Sequence, residues 1–239
     1  MMAFSSSSSA INLIALSVGQ SCLKRVFCLI SVLTLMAGCT VLDKPTRATM
    51  YDFGPGGLAA SAAALPSAGA LAPALPPLAI ADIATSGGAL DNQAVLYRLG
   101  YLDAQQLRPY SQARWTMPPA QLVRQRMRER LSQQRVVLNA REGVALNRSQ
   151  NANLPMLRLE LEEFSHVFSA PDASVGLLRL HATLVEITPA GERLVAQRSL
   201  SVQRPATSPD AAGGVHALTA ATDAAIDELD RWLRQLPAR

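Results

Sequence analysis

Beyond position 39 the chain has no cysteine: Cys22, Cys28 and Cys39 are the only three in 239 residues. Nothing C-terminal to them can be stapled by a disulfide, and no thiolate zinc or iron–sulfur site can be assembled there. Histidine is equally scarce, with only His166, His181 and His216, at spacings unlike a metal-binding motif. No G-x-S-x-G elbow, H-E-x-x-H helix or phosphate-cradling glycine loop is present. These absences argue against the common hydrolase, zinc-enzyme and nucleotide-binding classes. Lysine occurs only as Lys24 and Lys44, so the calculated pI of 9.3 rests on arginine.

What the chain does have is a leader. Lys24 and Arg25 precede an apolar run from Val26 to Ala37, which is too short to span a bilayer as a helix. Leu35-Met36-Ala37-Gly38-Cys39 then places small residues before a cysteine, the pattern of a bacterial lipoprotein cleavage site, with Met36 standing where leucine is more usual. An uncleaved short anchor is the alternative. The expected product begins at Cys39 and carries diacylglycerol and an N-acyl chain there, with no other cofactor. Several chains, at about 0.8 kcal/mol per buried methylene, make the attachment nearly permanent. Loss of Lys24 and Arg25 lowers the formal charge from +4 to +2, weak support for a nucleic-acid partner. Thr40 follows the lipidated cysteine where an inner-membrane retention signal would have aspartate, so the expected site is the outer membrane, facing the periplasm.

Residues 1–38 are thus read as a removed signal with a long serine-rich start, 39–48 as a tether, and 49–239 as one domain. Within it, a first strand at Thr49–Gly54 precedes a disordered Ala/Pro/Gly-rich insertion at about 57–76. Strands are expected at Pro77–Ile83, Val95–Leu99, Leu107–Trp115 and Arg135–Asn139. Pro118 and Pro119 open a helix to about Gln134, with Val123, Met127 and Leu131 as its buried stripe. A polar loop is expected through Asn153. Met156–Pro205 alternates apolar and polar residues and reads as a three-stranded antiparallel meander. Leu157, Leu159 and Leu161 face one way; Glu160, Glu162, Phe164 and His166 face the other. A tight turn at 170–173 would put Glu162 opposite His181 and Phe164 opposite Arg179; the next turn would pair His181 with Ser199 and Leu180 with Leu200. A last helix, about Val215–Leu236, carries Val215, Leu218, Thr222, Ala225, Leu229, Trp232 and Leu236 on one side. The fold class is α/β (α+β): a mainly antiparallel sheet covered on one face by two amphipathic helices.

Glu160 and Glu162 could form a catalytic carboxylate pair, but alternation with leucines beside Arg158 and Arg179 favours a solvated sheet face. Arg124, Arg126, Arg128 and Arg130 flank the buried stripe of the central helix. They are read either as a solvated surface or as contacts to phospholipid headgroups or an acidic partner. Trp115 is either a partner-binding anchor or core at a strand-to-helix junction, with core favoured because its apolar area is costly to expose.

The order of the lipobox, the YDFGP strand containing Tyr51, Asp52 and Pro55, the YSQARWTMPP junction containing Arg114, Trp115 and Pro118, and the meander-plus-helix resembles the ABC-type transport auxiliary lipoprotein family. The resemblance spans nearly all of Cys39 to Leu236. It implies a compact α/β domain and a non-enzymatic subunit of an intermembrane phospholipid-transport system, with an MCE-domain protein and ABC transporter subunits as partners. Systems of this kind can also form homo-oligomeric rings. A structural lipoprotein of a pilus or secretion assembly is the alternative function.

Overall fold

Period-two alternation over 156–203 becomes the spine of the molecule. The computed structural model describes residues 47–56, 75–150, 153–188 and 191–236. In chain order these form β1 (Thr49–Tyr51), β2 (Leu75–Ile80), β3 (Ala84–Thr85), β4 (Ala94–Leu99), α1 (Gly100–Asp103), β5 (Ala104–Trp115) and α2 (Pro119–Leu131). There follow β6 (Arg135–Asn139), α3 (Ala140–Gln150), β7 (Pro155–Ala170), β8 (Ala173–Thr188), β9 (Gly191–Pro205) and α4 (Ala211–Gln235). The meander β7-β8-β9 pairs antiparallel along its whole length. On its other side β7 is met in turn by β2, β3 and β4, all parallel to it. β5 runs antiparallel to β4 and carries β1 as a short parallel edge, while β6 lies parallel beside β2.

The first meander turn is placed as expected, with Ala170 opposite Ala173, yet the register derived from it fails further along. Two bulges in β7, one between Phe168 and Ala170 and one between Leu161 and Glu163, each insert a residue. Glu160, not Glu162, therefore faces His181, and Phe164 faces Leu178 instead of Arg179. A single extra residue reverses side-chain parity. Phe164 and His166, expected on the polar face, consequently turn inward and are buried with Leu157, Leu159 and Leu161. Across β8 and β9 the expected pairs His181–Ser199 and Leu180–Leu200 are found.

Helices α2 and α4 cover this face. Val123, Met127 and Leu131 are buried as anticipated, and Val215, Leu218, Thr222, Ala225, Leu229 and Trp232 form the inward stripe of α4. Pro118 caps α2 and Ser132 ends it, slightly before Gln134. Two glycines set how closely α4 approaches. A Cβ at Gly176 would lie 2.5 Å from the backbone of Ala217 and Leu218, and one at Gly214 would lie 2.5 Å from His166 Nδ1.

The polar loop expected after β6 is a helix. Asn139 and Glu142 form a reciprocal cap, each side chain accepting from the other's backbone N–H at 2.8 and 2.9 Å. Val144 and Leu146 of α3 then pack with Ala79, Leu154, Met156 and Val185. Their sheet neighbours Leu78, Ile80, Leu157 and Leu184 belong to the main core. Successive strand residues point to opposite faces, so α3 covers the reverse side of the sheet at one end. The sheet thus has helices on both faces, not on one.

The insertion also ends earlier than its composition suggests. Residues 57–74 lie outside the described residues, but Leu75 already pairs with Arg135, and Pro76 and Pro77 occupy the irregular step before Leu78 pairs with Val137. β7 joins β2 only from Ala79, so neither proline is required to donate to it. Cys39, most of the tether and the turn residues 189–190 likewise fall outside the described residues.

The close approach of α4 yields a direct test. Gly176→Ala should cost about 1–3 kcal/mol or more, because the new methyl meets backbone that cannot rotate away. Gly88→Ala, which projects into open space, should change stability by less than about 0.5 kcal/mol. Urea denaturation of both variants decides it: equal midpoints would mean that α4 does not sit at this depth.

Candidate functional site

The arginines of α2 do not form a solvated row. Arg126 lays its guanidinium fork on Asp223 of α4, with Nε–Oδ1 at 2.7 Å and Nη2–Oδ2 at 2.9 Å, and its side chain is 11% exposed. Arg130 reaches Asp223 at 3.3 Å and Asp227 at 2.6 Å. Arg135 at the start of β6 binds Asp230 at 2.8 Å, and Arg234 closes on the same carboxylate at 2.7 Å. Arg124 pairs with Asp82. Arg128 is half-buried and has no ion pair among the described residues. The ladder follows from spacing: 126 and 130 on one helix match 223 and 227 on the other, each one turn apart. Asp223 raises the Arg126 pKa further through its hydrogen bond, whereas burial lowers that of Arg135 against the pull of Asp230.

Trp115 is a core residue. It is 0% exposed and meets Phe53 edge-on at 5.6 Å and Phe164, tilted, at 5.6 Å. In this fold it has no surface with which to anchor a partner. Its place at the end of β5, beside β1 and just before α2, explains why the YDFGP and RWTMPP segments meet: Tyr51 is paired with Trp115.

Two polar clusters inside the fold escaped sequence reasoning. Arg98 of β4 grips Glu163 of β7 through Nε at 3.2 Å and Nη2 at 3.1 Å, while its Nη1 donates to the carbonyls of Ala104 and Gln105. Ser165 donates to the same carboxylate at 2.6 Å. The pair clips β4, β5 and β7 together. Nearby His166 is fully buried between Tyr110 Oη, 2.9 Å from Nδ1, and Ser174 Oγ, 2.7 Å from Nε2. Burial raises the Tyr110 pKa, aided by Tyr97 and Asp210, so its hydroxyl keeps its proton. A neutral imidazole has one donor and one acceptor nitrogen, and the hydroxyls of Tyr110 and Ser174, each able to donate or accept, satisfy both. Burial pushes the His166 imidazole down to about 4, partly countered by Asp210. Asp210 caps α4 by accepting from Gly213 N at 2.8 Å, and this bond holds its carboxyl below the ordinary range. Only the bulge at Glu162 brings His166 inward.

Glu160 lies on the outer face and accepts from Ser86 Oγ at 2.5 Å, while Glu162 is displaced into the bulge. They do not form a carboxylate pair facing a cavity. Among the described residues no group of three or more His, Cys, Asp or Glu side chains could hold a metal, and no helix is long and apolar enough to cross a membrane. A groove of about 350 Å³ lies at the C-terminal end of α4, walled by Leu75, Leu78, Leu184, Val195 and Leu233, with Arg135 at its side. The Nε of Arg135 is the one buried side-chain polar atom without a hydrogen bond among the described residues. The arrangement can bind or brace.

Comparison with known proteins agrees with that chemistry. The family model described as "ABC-type transport auxiliary lipoprotein component" matches residues 58–229. No curated protein matches the chain in sequence. Among solved structures, protein XCC0632 of Xanthomonas campestris, from family DUF330, is similar at a TM-score of 0.56 and 19% identity, covering 67% of this chain and 86% of its own. An uncharacterised protein matches at 0.54 and 11%, covering 78% and 99%. At these identities the likeness shows a shared fold.

Arg126→Ala should cost about 2 kcal/mol, since it leaves a part-buried Asp223 short of its best partner, whereas Arg128→Ala should cost less than about 0.5. A double-mutant cycle with Asp223→Ala checks the pairing; a coupling indistinguishable from zero would dissolve the ladder.

A second outcome concerns pH. His166 binds its proton at about 4 when folded against 6.5 ordinarily, so the unfolded chain holds more protons between those values. Stability should therefore be full above about pH 6.5 and fall by roughly 3 kcal/mol as pH drops through the window, with Asp210 acting in the same direction. Denaturation midpoints at neutral and acid pH should converge for His166→Gln, already weakened at neutrality. An unchanged slope would mean that His166 is not held neutral by burial.

Proposed function

The chain belongs to the ABC-type transport auxiliary lipoprotein family, whose model covers most of its length, and from that premise we propose that it is a non-enzymatic, lipid-anchored subunit of an ABC/MCE-type intermembrane phospholipid-transport system. The family is not a known enzyme class, and a lipoprotein family implies attachment to a membrane. The finer reading puts the anchor at Cys39 in the outer membrane, with the domain facing the periplasm and docking the transport machine there. The family match is the observation that carries this reading. The domain supports it physically: its helical layer is cross-tied by ion pairs and its central strands are clipped by a part-buried Arg98–Glu163 pair, which suits a rigid positioning element.

The partner surface follows from what the ladder leaves over. Arg126, Arg130 and Arg135 are engaged by α4, and Arg124 is shared with exposed Asp82. Arg128, with the solvent side of Arg124, is therefore the part of the arginine helix open to headgroups or an acidic partner. Trp115 drops out.

Affinity isolation of the lipidated protein from native membranes, followed by mass spectrometry of proteins and lipids, tests the assignment. An MCE-domain protein and ABC subunits should co-purify; recovery of pilus or secretion components in their place would establish the other function. Charge reversal at Arg124 and Arg128 should reduce partner capture while leaving the melting temperature nearly unchanged. For the anchor, Cys39→Ser should abolish incorporation of a fatty-acid analogue, because only a thiol forms the thioether. Equal labelling of wild type and variant would remove Cys39 from the account.

A further inference from the structure

A guanidinium keeps its charge at any ordinary pH, and when buried it normally has its donors occupied. Arg135 departs from that pattern. Its side chain is 7% exposed and Nη2 donates to Asp230 at 2.8 Å, yet Nε has no partner among the described residues. Nor is the carboxylate its own, because Arg234 holds Asp230 at 2.7 Å. Two guanidiniums thus share one carboxylate, and the surplus charge lies beside an unfilled donor. Burial lowers the Arg135 pKa, as suits a cation short of solvation.

The same side chain lines the apolar groove at the C-terminal end of α4. Strand register explains why a groove forms there. Ala79 lies beside Met156, so the first residues of β2 extend past the start of β7 and leave a notch in the sheet. The floor runs from Arg135 on β6 past Leu78 and Leu184 to Val195 on β9. Four inter-strand spacings give it a length of roughly 19 Å. Leu233 and Leu236, half-buried at the end of α4, form the outer wall, so a ligand can reach Arg135 by displacing side chains and not backbone. Glu186 also lines the groove, but Arg193 neutralises it. One end is therefore cationic and the remainder apolar.

We infer that this groove binds a long-chain fatty acid, with its carboxylate at Arg135 and its acyl chain laid over Leu78 and Leu184 towards Val195. A carboxylate fills the open Nε and balances the surplus charge in one contact. The volume of about 350 Å³ is near the lower limit of ligand pockets, roughly 300–1,000 Å³, and suits one chain better than the two of a phospholipid. A peptide fits the walls less well. It would bring backbone N–H and C=O groups into a groove where Pro76 and Pro77 have no N–H to offer in return. The site belongs to the domain itself and depends neither on the Cys39 anchor nor on the transport assignment.

Photocrosslinking tests the site in the full-length processed lipoprotein, held in nanodiscs of phosphatidylethanolamine and phosphatidylglycerol. Palmitate carrying a diazirine on its chain is added, the sample is irradiated, and crosslinked peptides are mapped by mass spectrometry. Crosslinks should concentrate on the peptides containing Leu78, Leu184 and Val195, and unlabelled palmitate should compete them away. Arg135→Lys keeps the charge but removes Nε, and should lower crosslinking severalfold. Val195→Phe fills the far end without touching Arg135, and should lower it severalfold at an unchanged melting temperature. Crosslinks absent from the groove, scattered over the domain, or undiminished in Val195→Phe would overturn the proposal. Equal labelling by the methyl ester of the same probe would overturn the pairing of carboxylate with Arg135. Preferential labelling by a lysophospholipid bearing the same chain would overturn the choice of fatty acid, assigning the groove to a phosphate-headed lipid.

Discussion

The depth at which α4 lies on the meander governs most of what surrounds it. Gly176 and Gly214 remove the side chains that would hold the helix away, and Ala217, Ala221 and Ala225 keep the contact shallow along its length. That proximity brings the α4 carboxylates within reach of α2 and β6, turning separate arginines into a ladder. It also closes the helix N-terminus over His166. An imidazolium there would be deprived of water and set against the positive end of a helix dipole, so the ring stays neutral. A helix shifted outward by one methyl would weaken packing, ladder and histidine cluster together.

The two ends of the sheet differ in character. At one end lie the β7–β8 hairpin and α1, whose Gly100 approaches Phe168. At the other lie the start of β7, the C-terminus of α4 and an apolar groove bordered by Arg135 and Arg234.

Legibility in the sequence followed the range of the interaction. The meander, both amphipathic stripes and the second hairpin's register could be read because they repeat locally. The β7 bulges could not, since an inserted residue leaves no mark in composition, yet it moved Phe164 and His166 to the opposite face. α3 was missed although its N-terminal signal was present: Asn139 followed three residues later by Glu142 is a capping pair, obscured by a helix too polar to show a strong stripe. The arginine ladder was hidden differently. The arginines of the central helix are plain in the sequence, but the pairing of Arg126 and Arg130 joins residues nearly a hundred positions apart and depends on how closely two helices approach.

That pairing changes what the arginine-rich helix can mean. A row of free guanidiniums would be an electrostatic lure for any phosphate, steering encounters and losing strength with salt. In the folded domain most of that charge is neutralised from within. A ligand drawn to Arg126 or Arg130 would have to displace a carboxylate already held by charge-assisted hydrogen bonds, and would leave that carboxylate poorly solvated. Recognition by this face must therefore depend on shape and on the few uncommitted groups around Arg128. Such a surface discriminates among partners more than it concentrates anions, which fits a subunit that positions a transport machine better than one that gathers its cargo.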